Sequence, residues 1–505
     1  MQAGIAPQRT LRPTEEGTVL ANTRRSRGPR PRDGAASAVP GAGESTASAA
    51  VAVDHDETAV AEPPPTVSEG TPPRLRVTSW ADLWSRIRAI LARDAVWVPL
   101  TVFLLSRAYV FLLGAIAMQI NLALPPVAAL QYFMPEMAGA AHYLLQPWRN
   151  WDGHWYALVV LKGYGYHEAV TAFFPLYPAL LGVGNWLLDG QIELAGVLIS
   201  NIAFLGALFL LYQLLIIDFD RAVVRRALLY IALFPTAYYF SAVYSESLFL
   251  LVSVGCLLAA RRDRWWIAGA LGFLAALTRS HGILLVIPLA LLFVKQQGWH
   301  PLRWRRNPVP IALVPGGLMV YFIYLGRIWN DPLITLQAQK GWDRYSANPI
   351  QALQAGADAV NGCAVSDWNA IWLGRTVDFC WADRIKAAPT LATLRDPLWR
   401  WALSESNFVE FAATIFMIIV AVAAFRYLPL AYSAYLAAGI ILPLWSPSAV
   451  HPLMSMHRFA LALFPLFIVL ALVAKWRPVH VAWLVISTLL LAFFTIQFAS
   501  WLWVA

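Results

Sequence analysis

Long uninterrupted apolar runs decide most of what this chain can become. Residues 96–120, 192–217 and 481–505 each approach or exceed the roughly 20 apolar residues that span a bilayer as an α-helix. Composition agrees with membrane insertion. Of 505 residues, 59% are hydrophobic and 13% charged, with a mean hydropathy of +0.56; soluble domains carry about 25% charged residues. The alternating pattern of a transmembrane barrel is absent. Apolar segments recur at about 95–120, 172–188, 192–217, 227–241, 244–260, 265–278, 281–294, 309–328, 408–424, 428–444, 458–474 and 480–503. They predict an all-α polytopic bundle of about 11–13 transmembrane helices.

The net charge of +9 does not point to nucleic acid. The basic residues lie in the N-terminal tail and in short loops at Arg221/Arg225/Arg226, 261–264, 295–306, Arg426 and Lys475/Arg477. That placement fits orientation of a membrane protein with its positive loops inside. Counted back from the C-terminus, these clusters share one side, and residues 330–407 and 445–457 face the other. The N-terminal count misses by one crossing within 172–226. Either one segment there is re-entrant or the Arg221 cluster faces outward.

Three regions are expected. Residues 1–78, rich in Ala, Pro, Gly, Ser, Thr and Arg, bury too little apolar surface to offset ordering entropy and form a disordered cytoplasmic tail. With no apolar core followed by a cleavage site near Met1, no signal peptide is expected. Residues 79–94 place Trp80, Leu83, Trp84, Ile87, Ile90 and Leu91 at helical spacing among arginines. They read as a basic amphipathic surface helix or as an extension of the first span. Residues 95–505 form the polytopic domain, with large extracytoplasmic loops at 121–171 and 330–407. Trp342, Trp368, Trp372, Trp381 and Trp399 of the second loop are interfacial anchors or sugar-stacking residues. Cys256 lies in an apolar run and reads as packing. Cys363 and Cys380 are either disulfide-bonded or reduced. No metal-ligand spacing of Cys or His is present, and no cofactor is expected.

Chemistry is expected where ionisable residues interrupt apolar sequence. In 149–178 an acid, Asp152, stands among Trp148, Trp151, Trp155 and Tyr156 and precedes Gly153, which lets backbone approach closely. A carboxylate in such a partly dry site suits proton abstraction from a hydroxyl; as a helix N-cap it would be structural. Glu246 sits at the turn Tyr-Ser-Glu-Ser, and Arg279 and His281 at Thr-Arg-Ser-His-Gly. His457 and Arg458 open the segment 458–474. Arg279 pairs either with a phosphate, which suits a guanidinium fork, or with Glu246 as a structural pair. His154, His167 and His451 are weak signals taken singly.

The block Trp-Asp-Gly-His-Trp-Tyr … Lys-Gly-Tyr … Ala-Phe-Phe-Pro-Leu-Tyr-Pro resembles the signature of the PIG-V-type mannosyltransferases of the GT-C superfamily. Tyr-Ser-Glu-Ser, Thr-Arg-Ser-His-Gly and the stretch 455–467 are similar to further family blocks, in the same order. The resemblance implies a GT-C-type bundle that transfers a sugar, usually mannose, with inversion from a polyprenyl-phosphate donor at the outer membrane face. It makes Asp152 the first-loop catalytic acid/base. Trp151, His154, Trp155, Tyr164, Glu246, Arg279, His281, His457 and Arg458 become candidate substrate-binding residues, with Arg279 and Arg458 assigned to the donor phosphate by charge alone. The first-loop acid lacks the adjacent second acid of many superfamily members, which favours a metal-free scheme. The Ala- and Arg-rich composition reads as bacterial, so the chain is expected in a plasma membrane, its acceptor an unassigned glycan, lipid or protein. The competing readings are a transporter or flippase for a lipid-linked sugar, disfavoured by the lack of an internal repeat, and a non-catalytic subunit of a glycosyltransferase complex.

Overall fold

The computed structural model describes residues 94–120, 137–361 and 406–501; these belong to one compact unit, Arg76–Ala505. The expected tail 1–78, all but the last residue of the surface helix 79–94, residues 121–136 of the first loop, and Cys363, Cys380, Trp368, Trp372, Trp381 and Trp399 lie outside the described residues.

Among the described residues every extended regular element is helical. The main helices are α1 (Asp94–Ile120), α2 (Asp152–Lys162), α3 (Leu176–Leu187), α4 (Ile192–Leu215), α5 (Arg221–Ala232), α6 (Glu246–Arg261), α7 (Trp265–Thr278), α8 (Val286–Gln297), α9 (Leu313–Trp329), α10 (Pro349–Asn361), α11 (Ser406–Tyr427), α12 (Leu430–Leu444), α13 (Pro465–Val473) and α14 (Arg477–Ala499). Each expected apolar segment overlaps one of them or, at 458–474, a bent pair; 227–241 holds only the second half of α5. Among the described residues six helices are long and apolar enough to cross a membrane, against the 11–13 expected; a seventh span arises if Met456–Ala462 and Pro465–Val473, bent by 90°, count as one. Trp265–Thr278 and Leu430–Leu444 are shorter apolar helices. The chain is an integral, multi-pass membrane protein, and the all-α polytopic expectation is borne out.

Capping and composition explain the local choices. Asp220 accepts a hydrogen bond from the Val223 N–H at 2.8 Å and starts α5, satisfying an amide that the helix itself leaves open. Helix α6 is apolar on all sides after Glu246, and Leu248, Phe249, Val254, Cys256 and Leu257 are buried. A helix without a polar face belongs inside a bundle, and α6 forms its central post.

The bundle has two chemically different ends. At one, Asp94 takes Arg225 at 2.7 Å and Arg221 at 3.4 Å, Asp218 takes Arg261, and Asp263 takes Arg306. The starts of α1, α5 and α7 and the ends of α4 and α6 therefore meet in one basic belt. At the other end lie Asp152, Glu246, Arg279 and Arg458.

This arrangement resolves the missing crossing. Tyr177, at the start of α3, donates to the Gly196 carbonyl at 3.3 Å and is 3.0 Å from the Ser200 hydroxyl. Near the end of α3, a Cβ on Gly184 would lie 3.0 Å from that of Ala195. Both ends of α3 thus sit against the first turns of α4, far from Asp218. Helix α3 does not traverse the bundle, and the Arg221 cluster joins the other basic clusters.

Close helix packing rests on specific glycines. A Cβ at Gly269 of α7 would lie 2.2 Å from the Pro310 carbonyl oxygen, and one at Gly317 of α9 would lie 2.4 Å from the Phe273 carbonyl oxygen. In lipid, helices associate through packing, so such small-residue contacts set the interhelix distance. Gly316 points elsewhere, and its added Cβ would make only ordinary contact with Phe273 at 3.8 Å. Gly317→Ala is expected to destabilise the protein by about 1–3 kcal/mol, and Gly316→Ala to leave it unchanged or slightly more stable. Thermal denaturation of the two variants in detergent checks the contrast.

Candidate active site

Helix α2 begins at Asp152 under unusual backbone restraint. Trp151, the residue before it, has φ 58° and ψ −118°, a region that a bulky side chain avoids unless its surroundings enforce it. The enforcement is visible. The Asn150 side-chain amide donates to the Phe498 and Ala499 carbonyls at 2.9 and 3.2 Å. The Trp151 ring packs on Trp501, with centroids 5.7 Å apart. The Tyr244 hydroxyl donates to the Asn150 carbonyl at 3.0 Å and accepts from the Asp152 N–H at 2.9 Å. The end of α14 and the turn before α6 thus clamp the start of α2. Gly153 is not needed for close approach: an added Cβ would meet Trp148 and Val243 at an ordinary 3.6 Å.

No N-cap role is seen for Asp152. It is the first helical residue, and its carboxylate turns to Arg458: Nη1 to Oδ2 is 2.5 Å. The Arg458 Nε donates to Glu246 Oε1 at 2.5 Å, and the same oxygen receives the Arg279 Nη1. Two acids and two arginines therefore form one chain of contacts, Asp152–Arg458–Glu246–Arg279. The structural Glu246–Arg279 pair is present, and Glu246 serves Arg458 as well. The Glu246 side chain is 2% exposed and that of Asp152 25%, so the chain runs from the interior to an open carboxylate. Arg458 also lies over the Tyr239 and Tyr244 rings at 5.0 and 4.7 Å, where ring faces stabilise a desolvated cation. The turn bearing it is fixed by Glu410, whose Oε1 accepts the Ser455 N–H at 2.9 Å; Ser455 has φ 68°.

These groups border a cavity of about 410 Å³, within the range of small-molecule sites. Asp152, Arg279, His281, Arg344 and Arg458 supply its charged and imidazole lining, and Tyr156, Phe173, Phe174, Trp342 and Phe459 an aromatic one. Among the described residues, no cluster of three His, Cys, Asp or Glu side chains could hold a metal ion.

The structure brings together four of the sequence candidates, Asp152, Arg279, His281 and Arg458, on the cavity wall, with Glu246 directly behind. The others support it without lining it. His154 is buried against Trp501. Trp155 stacks on Phe173 and tilts against Trp342. The Tyr164 hydroxyl donates to the Phe173 carbonyl at 2.6 Å, and His457 is buried near Phe494. Arg344 went unread in the sequence. It enters because residues 343–347 pair with 445–449, with Arg344 bridged to Ser448, a long-range contact that no local pattern reveals.

A helical membrane protein with a charge-paired, aromatic-walled cavity at the end opposite its basic belt is the class these features define. Residues 91–299 match the family model Mannosyltransferase (PIG-V), and the family resemblance is borne out over that segment. Glu246, Arg279 and Asp152 fall within it; Arg344 and Arg458 lie beyond. The chain is similar to GPI alpha-1,6-mannosyltransferase 2 of Mus musculus, 30% identical over 261 residues, covering 44% of this chain and 52% of that protein. The Homo sapiens protein of that name is 30% identical over 250 residues, covering 43% and 49%. GPI mannosyltransferase 2 of Drosophila pseudoobscura pseudoobscura is 27% identical over 267 residues, covering 46% and 58%. The chain thus spans about half the length of the curated relatives it matches. The crystal structure of the apo Archaeoglobus fulgidus oligosaccharyltransferase aligns with a TM-score of 0.39 at 14% identity, covering 80% of this chain and 56% of that one.

Two expected outcomes follow from the electrostatics. Arg458→Gln strips partners from two carboxylates, one of them fully buried, and is expected to cost about 3–5 kcal/mol of stability; adding Glu246→Gln should restore part of it. A double-mutant cycle in thermal stability checks this. Burial, aided by the Arg149 charge, holds His154 down at about 4 from its ordinary 6.5, and burial does the same to His451. The unfolded chain takes up these protons below about pH 6.5 while the fold refuses them until about pH 4. Stability is therefore full above pH 6.5 and lost as pH falls through this window. A pH series of melting temperatures checks it, and His154→Phe should flatten the slope.

Proposed function

We propose that this chain is a membrane mannosyltransferase of the GT-C type. It transfers mannose, with inversion, from a polyprenyl-phosphate donor to an acceptor hydroxyl on the extracytoplasmic side. The family match over residues 91–299 supports the transferase class. The observation that carries the reading is Asp152: an acid on the wall of a cavity of about 410 Å³, a quarter exposed and held on a clamped helix start. The basic belt at the opposite end supports an outward-facing cavity under the positive-inside rule.

In this reading Asp152 is the general base. An acceptor hydroxyl in the cavity gives its proton to the Asp152 carboxylate as its oxygen forms a bond to the anomeric carbon. The bond from that carbon to the donor phosphate oxygen breaks with its electron pair, and polyprenyl phosphate leaves. Single displacement inverts the anomeric centre. Arg458 aims the carboxylate, since its guanidinium is itself fixed by Glu246 and two tyrosine rings. Glu246 and Arg279 are positioning residues through the same chain, and His281 and the aromatic wall surround the sugar. Trp151, His154, Trp155, Tyr164 and His457 shape the site from behind.

Purified protein, labelled polyprenyl-phosphate mannose and a panel of glycan, lipid and protein acceptors test this reading. Donor-dependent product with inverted configuration is expected, and Asp152→Asn should lower the rate by about 10²–10⁴-fold while donor binding persists. Use of a nucleotide-linked mannose alone, translocation of the lipid-linked sugar without product, or full activity of Asp152→Asn would each contradict it.

A further inference from the structure

The cavity contains a third arginine that its carboxylate pairs leave over. Asp152 and Glu246 are matched by Arg458 and Arg279, two acids against two guanidinium groups in mutual contact. Arg344 also lines the cavity. Its hydrogen bond among the described residues runs from Nη1 to the Ser446 carbonyl at 2.8 Å, and none of the described carboxylates lies within ion-pair distance of it. Glu410 and Asp152 act on it only at longer range, while burial lowers its pKa from the ordinary value. A partly buried cation without a matched anion is a standing attraction for an anionic ligand.

The backbone under Arg344 is fixed in advance. Tyr345 N–H donates to the Pro447 carbonyl at 3.0 Å, Ala347 N–H to Trp445 at 3.2 Å, and Ala449 N–H to Asp343 at 2.9 Å. One guanidinium nitrogen is anchored to Ser446, and the planar fork keeps further donors for a ligand that accepts more than one hydrogen bond, as phosphate does. Trp342, two residues earlier, lines the same cavity. The arginines assigned by charge alone are poorer choices. Turning Arg279 or Arg458 to a phosphate would take a partner from Glu246, which is 2% exposed.

We infer that Arg344 receives the phosphate of the lipid-linked donor, and that Arg279 and Arg458 instead hold the two carboxylates in place. This rests on the mannosyltransferase reading and names the donor-phosphate residue of that site. When the anomeric carbon–oxygen bond breaks, the leaving phosphate gains charge, and Arg344 meets it without disturbing the base.

Equilibrium binding to the full chain in detergent tests the inference, with polyprenyl phosphate, the uncharged polyprenol and inorganic phosphate as probes. Wild type is expected to bind polyprenyl phosphate and to bind polyprenol far less well. Arg344→Gln should weaken polyprenyl phosphate binding by about 10- to 100-fold, with an unchanged melting temperature. Polyprenyl phosphate binding that survives in Arg344→Gln, or equal binding of polyprenol by wild type, overturns the inference alone. Inorganic phosphate binding as tightly as the lipid overturns the assignment to a lipid-linked ligand. Failure of wild type to bind polyprenyl phosphate overturns the donor reading together with it. Should Arg344→Gln not fold, Arg344→Lys decides. A donor KM raised several-fold with an unchanged acceptor KM supports the inference, and an unchanged donor KM contradicts it.

Discussion

One guanidinium group ties the site to the fold. Arg458 reaches Asp152 with one nitrogen and Glu246 with another, each at 2.5 Å, over the faces of Tyr239 and Tyr244. Through these contacts it joins the first loop, the top of the central helix and the bent pair near the C-terminus. A buried charge of this kind is costly unless every partner is in place. The surrounding restraints keep them there: Glu410 on the Ser455 amide, Tyr244 on the Asp152 amide, and Asn150 on the end of α14.

The bundle provides the second constraint, a separation of chemistries between its ends. Four aspartate–arginine contacts gather the basic loops into one belt, and the acid–arginine cavity occupies the other end. Helix α3 stays at the cavity end, adding a layer of structure around the site without adding a crossing. Through Phe173 and Phe174, just before it, this layer supplies part of the cavity's aromatic wall.

Much of this was legible in the sequence, for identifiable reasons. Apolar runs are the direct signature of membrane helices, and each overlaps a helix, though only six or seven among the described residues are long and apolar enough to span. Glu246, Arg279 and Arg458 stood out because ionisable residues seldom interrupt apolar sequence without cause, and the structure joins all three in one network. The sequence left Asp152 poised between a helix cap and a functional acid. Only the distant Arg458, 306 residues on, distinguishes its surroundings. The fate of 172–188 was equally undecided, since apolar composition does not say whether a 12-residue helix crosses or folds back. Gly153 invited a steric explanation that its surroundings do not require. Arg344 escaped because its position depends on pairing between two loops about 100 residues apart, which neither periodicity nor composition encodes.

In the proposed function one cavity, framed by Asp152, Arg458 and Arg344, holds the donor for sugar transfer. A cryo-EM structure of the full chain with a non-cleavable polyprenyl-phosphonate mannose tests it most directly. The phosphonate is expected on Arg344, with the lipid leaving the cavity toward the bilayer and the anomeric carbon facing Asp152 with room for an acceptor hydroxyl between. A mannose bound at the basic end of the bundle, or turned away from Asp152 inside the cavity, would contradict it.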